Sequence, residues 1–127
     1  MNSNQNLMDA LGIEVTEISL EKVIAKMPVD QRTIQPFGIL HGGATAALAE
    51  TVGSIGAFQH VRELNGVPVG LELSINHLKS MRAGYVWAEA SPLHLGKSTH
   101  LWEIHCWNEN RERVAYAKLT VMFKYEK

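Results

Sequence analysis

The sequence predicts an α+β fold, with one long helix packed on one antiparallel sheet. Two observations predict it. Residues 42 to about 60 form one stretch whose apolar positions Leu48, Val52 and Ile55 recur at helical spacing. From Val69 onward, apolar and polar residues alternate in three or four long runs separated by turn residues.

Taken in order, the elements are these. Leu7, Met8 and Leu11 have helical spacing, so a short amphipathic helix opens the chain and Gly12 ends it. Residues 13–19 read as a strand. Val23, Ala25, Met27 and Val29 alternate with Lys22, Ile24 and Lys26, giving a second strand with one exposed face. Residues 30–40, with Pro36 and Gly38, form a loop before the central helix. Asn65-Gly66 is a turn. Val69, Leu71, Leu73 and Ile75 mark the next strand. Residues 85–95 are a long strand interrupted by Pro92, and residues 99–107 another. Asn108, Glu109 and Asn110 form a hairpin loop. The last strand, residues 114–124, sets Ala115, Ala117, Leu119, Val121 and Phe123 on one side.

A chain of 127 residues without repeat or linker suits one domain, residues 1–127. Its net charge of -1 gives no bulk attraction to nucleic acid or to an anionic membrane. Cys106 is the only cysteine, so no intrachain disulfide forms. The polar start, residues 1–6, does not read as a signal peptide, and no apolar run reaches membrane-spanning length. The expectation is a cytoplasmic protein.

Glu50 is the one charged side chain in residues 33–61, counting His as neutral. It points roughly 160° away from Leu48, Val52 and Ile55, with Ser54 one turn later on its own face. A lone helical Glu is ordinarily solvated, but a solvated face carries several charges. This one is read as carrying Gly43, Ala46, Gly53 and Ala57. An acid there belongs to a cleft or an interface, where burial would raise its pKa towards that of a general base. Gly53 and Gly56 are poor helix formers and imply a packing or ligand reason. His41-Gly42-Gly43 stands at the helix start, where unpaired N–H groups bind negative charge, including an oxyanion.

Beyond the helix, His77 and Lys79 continue the parity of Leu71, Leu73 and Ile75 and extend an inward-facing stripe. They can equally be a core histidine and a lysine reaching water. The six histidines, at 41, 60, 77, 94, 100 and 105, show no metal-ligand spacing, so no metal is expected. Cys106 reads as a small buried apolar residue. Gly-x-Ser-x-Gly and Gly-rich phosphate motifs are absent from the sequence.

Residues 35–43, Gln-Pro-Phe-Gly-Ile-Leu-His-Gly-Gly, are followed by Ala49-Glu50 and Gly53-Ser54, by residues 76–80, Asn-His-Leu-Lys-Ser, and by residues 92–96, Pro-Leu-His-Leu-Gly. Together they resemble the hotdog-fold thioesterases of the glutamate-dependent 4-hydroxybenzoyl-CoA type. Within that type they are most similar to the 1,4-dihydroxy-2-naphthoyl-CoA and enterobactin proofreading thioesterases. The phenylacetate-pathway relatives carry Asp at the position of Glu50.

The resemblance implies a hotdog fold and hydrolysis of an acyl-CoA, with an aromatic acyl group, to acid and CoA without a cofactor. It implies Glu50 as nucleophile or general base, Gly42 N–H as the group polarising the carbonyl, and Gln35 and His41 as groups that help position the substrate, the catalytic groups and the leaving thiolate. Ser54 would orient the carboxylate or water. Gly70 would lie near the acyl group. CoA would touch His77, Leu78, Lys79 and Ser80, and also His94, Leu95, Gly96, Lys97, Ser98 and Thr99. It further implies a homo-oligomer, a dimer or a tetrameric dimer of dimers, with joined sheets and active sites between subunits. Two rivals differ in chemistry: a hotdog dehydratase, and a module that binds acyl-CoA without catalysis.

Overall fold

A computed structural model describes residues 6–125. The order is α1 (Leu7–Leu11), β1 (Glu14–Ile18), β2 (Val23–Pro28), α2 (Gly42–Val61), β3 (Gly66–His77), β4 (Tyr85–Leu95), β5 (Thr99–Trp107) and β6 (Arg113–Tyr125). One 3₁₀ turn, Arg62–Leu64, joins α2 to β3. The six strands make one antiparallel sheet in the order β1-β2-β4-β5-β6-β3, and α2 lies against its inner face. The 12-residue β3 is therefore an edge strand.

Local signals explain the boundaries. Asn6 and Asp9 form a capping box on α1, and Gly12 ends it in the left-handed region at φ 74. Asn65, at φ 57, turns the chain into β3. The inner face is built by alternation: Val23, Ala25 and Met27 from β2, Val86, Ala88 and Ala90 from β4, Trp102, Ile104 and Cys106 from β5, and Ala115, Ala117, Leu119 and Val121 from β6. Helix α2 brings Leu48, Ala49 and Val52 onto them.

The helix glycines are explained by this packing. A Cβ on Gly53 would stand 2.7 Å from Leu119 Cδ2, and one on Gly56 would stand 2.6 Å from Trp102 Cζ3. Gly53 and Ala57 therefore belong to the core side of α2, not to a small-residue face around Glu50. The curved sheet buries a wider arc of the helix than the Leu48–Val52–Ile55 stripe indicates.

Two strands depart from simple alternation. β3 bulges at Leu71: Gly70 pairs with Val121 and Glu72 with Thr120, leaving Leu71 55% exposed. Before the bulge the inward position is Gly70 and not Val69. After it, Leu73, Ile75 and His77 pair with the inward residues Leu119, Ala117 and Ala115. Lys79 lies beyond the strand end and is exposed, so the stripe stops at His77. β4 runs through Pro92 without interruption, because a register shift between Pro92 and His94 absorbs the irregularity.

Candidate active site

The start of α2 is fixed by the loop before it. Thr33 is buried; its hydroxyl donates to Pro28 O (2.7 Å) and accepts from Asp30 N–H (3.1 Å). Thr33 O in turn accepts from His41 N–H at 2.8 Å. Gly38, at φ 82, makes the tight turn that returns the chain to Leu40. His41 is the N-cap: its Nδ1 accepts from Gly43 N–H at 2.8 Å. Ala44 and Thr45 N–H both donate to His41 O. The one amide of this turn left without an acceptor among the described residues is Gly42 N–H. The cap commits Gly43 and leaves Gly42, the glycine to which the resemblance assigns carbonyl polarisation, with the free amide.

A groove of about 420 Å³ opens beside Gly42. Gln35, Gly42, His77, Leu78, Lys79 and Ser80 all line it. The Gln35 side-chain carbonyl accepts from Phe37 N–H, which leaves its NH₂ as the free end. The His77 ring covers Gly42: a Cβ there would stand 3.0 Å from His77 Nε2. Lys79 is paired with Glu112 at 3.4 Å, but both are about half exposed, so the pair is weak and the ammonium remains available. His41 is not in this groove. It borders a different pocket, beside Leu7, Leu11, Arg32 and Ile34.

Glu50 is not in the groove either. It sits eight residues further along α2, roughly 12 Å down the axis. Its carboxylate lies against Gly70, where a Cβ would come within 2.5 Å of Oε2. The bulge in β3 begins at this point. Within one chain Glu50 is exposed, so the covered acid expected from the sequence is not found in the isolated subunit. Ser54 is half-buried one turn on, and no hydrogen bond joins it to Glu50 among the described residues.

The remaining candidates lie elsewhere. His94, Leu95, Gly96, Lys97, Ser98 and Thr99 form the β4–β5 hairpin tip, closed by Gly96 N–H donating to Thr99 O at 2.9 Å. His77 pairs with Ala115 and Thr99 with Met122, seven residues apart along β6, roughly 24 Å. One chain thus carries three separated parts: a groove, a carboxylate and a hairpin tip.

The sequence signature described as "Thioesterase superfamily" matches residues 37–115, a span that includes Gly42, Glu50 and His77. The chain belongs to the Thioesterase superfamily. It is 44% identical over 114 residues to the proofreading thioesterase EntH of Cronobacter turicensis, covering 90% of this chain and 82% of that one. It is 38% identical to the 1,4-dihydroxy-2-naphthoyl-CoA hydrolase of Listeria monocytogenes, covering 93% and 95%. A solved thioesterase from Haemophilus influenzae, HI1161, superposes with a TM-score of 0.91 at 39% identity, covering 97% and 85%.

Membership of the Thioesterase superfamily makes the protein a thioester hydrolase, and its fold is the hotdog fold. The lone cysteine takes no part in this chemistry: Cys106 is fully buried, and burial pushes its thiol up to about 12. No helix among the described residues is long and apolar enough to cross a membrane. The sequence reading missed Thr33, whose buried hydroxyl and carbonyl hold the loop that enters α2 at His41. A loop threonine carries no pattern by which to find it.

Proposed function

We propose that the protein hydrolyses acyl-CoA thioesters, with aromatic acyl groups preferred, in sites each assembled from two subunits. The observation that carries this reading is the Gly42 N–H, an uncommitted donor at a helix start on a residue that lines a groove. A thioester oxygen placed there gains stabilisation as it becomes an oxyanion. Gln35 NH₂ is a second donor in the same groove. Glu50 acts as nucleophile or general base, assisted by Ser54. The His41 cap holds the donor in place.

The separations within one chain support a shared site. Roughly 12 Å of helix parts Gly42 from Glu50, too far for both to act on one carbonyl. Two copies joined antiparallel along their β3 edges resolve this, because a two-fold axis sets the start of one α2 beside the middle of the other. The long unpaired β3 edge is suited to such pairing. Partner coverage then desolvates Glu50. The hairpin tip of one subunit and His77, Leu78, Lys79 and Ser80 of the other then hold the same CoA, and Lys79 and Lys97 meet its phosphates. The aromatic preference rests on similarity to the Listeria 1,4-dihydroxy-2-naphthoyl-CoA hydrolase.

Thiol release measured across a panel of aromatic and medium-chain acyl-CoAs, alongside light scattering, tests the reading. Free CoA should appear fastest from aromatic substrates, and the active species should be a dimer or larger. A fully active monomer at micromolar concentration would sink the shared site. Hydration of an enoyl-CoA without thiol release would favour a dehydratase, and binding without turnover would favour a carrier module.

A further inference from the structure

The six histidines differ in what their ring nitrogens do. His41 accepts from Gly43 N–H, His60 meets Leu20 O at 2.9 Å, His100 accepts from Trp102 Nε1–H, and His105 faces Glu103 at 3.4 Å. Among the described residues, only His77 and His94 have no hydrogen-bond or ion-pair partner at either nitrogen. Of these two, only His77 lines the groove with Gly42. Its Nε2 stands 3.0 Å from the Cβ position of Gly42. A Cβ lies roughly 2.5 Å from its own backbone nitrogen, so Nε2 is within about 5.5 Å of the Gly42 amide nitrogen. His41, assigned by resemblance to the leaving thiolate among other tasks, has one nitrogen committed to the cap and borders a different pocket.

We infer that His77 is the group that stabilises the leaving thiolate. The inference rests on the acyl-CoA thioesterase reading above. With the thioester oxygen on Gly42 N–H, the adjacent sulfur can reach His77 Nε2. When the tetrahedral intermediate collapses, the C–S bond breaks and its electron pair stays on sulfur. A ring N–H donating to that sulfur stabilises the new anion through a charge-assisted hydrogen bond. The thiolate then takes a proton from solvent and leaves as CoA, while the acyl carbon keeps its new C–O bond. An N–H aimed at charge that exists only late in the reaction lowers the barrier without tightening substrate binding.

The test compares wild type, His77→Phe and His77→Gln on two substrates that share the acyl group wild type turns over fastest. One is the CoA thioester; the other is the thionitrobenzoate thioester, whose leaving thiolate is already stable. With the CoA thioester, His77→Phe should lower kcat by about 10²-fold, the usual cost of losing one such donor, with KM within about threefold. With the activated thioester the loss should shrink to below about fivefold, because little charge stabilisation is then needed. His77→Gln, which restores an N–H, should recover part of the CoA activity. Thermal melts of the variants should match wild type, since His77 is exposed. Equal losses on both substrates, or a raised KM with unchanged kcat, would overturn the assignment and leave His77 as a structural or binding residue. A wild type that releases no thiol from any acyl-CoA would instead overturn the proposed function.

Discussion

The two ends of α2 use similar residues for opposite purposes. At its start stand Gly42, Gly43, His41 and His77, all in or beside open grooves. Near its end stand Gly56, His60, His100 and Trp102, packed on one another. Trp102 is fully buried and His100 is 3% exposed. The Trp102 Nε1–H donates to His100 Nδ1 at 3.2 Å, and the His100 ring meets Phe123 edge-on at 4.5 Å. At the packed end the ring nitrogens of His60, His100 and Trp102 serve the fold. At the open end a backbone donor and a ring are left uncommitted. Residue type alone does not separate a histidine that stabilises from one that can act; what covers it does.

The sharpest way to break this contrast is Glu50→Ala, on the exposed side of the helix. It should lower kcat by about 10²–10⁴-fold, the usual range for loss of a general base, and leave the melting temperature nearly unchanged. Steady-state kinetics with a thermal melt checks both halves. A variant that keeps more than about a tenth of wild-type turnover would place the chemistry elsewhere.

Gly42→Ala probes the open end directly. Its new Cβ would crowd His77 and displace a carbonyl approaching the free amide. A fall in kcat of about 10²–10³-fold is expected. Gly43→Ala is the comparison, since its amide already serves the His41 cap. Kinetics in which Gly43→Ala is the more impaired would assign the donor to the other glycine.

At the packed end the expected signal is stability against pH. Desolvation, followed by the nearby His60 and His94, lowers the His100 pKa from 6.5 to about 4. The unfolded chain therefore binds a proton in a range where the folded chain does not. Stability should be full above about pH 6.5, fall as pH drops towards 4, and level off below. Denaturant titrations across that range would show it, and His100→Gln should flatten the slope. An unchanged slope in that variant would assign the acid sensitivity to other groups.

The smallest expected effect is that of Gly56→Ala, whose methyl would meet the Trp102 ring at 2.6 Å. Overpacking of this kind costs about 1–3 kcal/mol. Chemical denaturation should register that loss while kcat per folded molecule stays at the wild-type value. A large fall in kcat would mean that the two ends are coupled.

Read alone, the sequence determined the α+β class, the span of α2 and the inward residues of β2 and β6. These follow from local periodicity, because a strand or helix shows its buried side through its own repeat. It also marked Glu50, His41, Gly42 and Gly43, since a single acid in a long uncharged stretch and glycines at a helix start are visible without coordinates. Tertiary structure decided what periodicity cannot carry. The bulge at Leu71 changed which β3 residues face inward, because one extra residue reverses the alternation. Packing against Leu119 and Trp102 claimed Gly53 and Gly56 for the core. The His41 cap left Gly42 rather than Gly43 with the free amide. Distance in space set the groove, Glu50 and the hairpin tip apart within one chain. All but the cap, which joins residues two apart, depend on which residues distant in sequence come within a few ångströms, and a one-dimensional pattern does not encode that proximity.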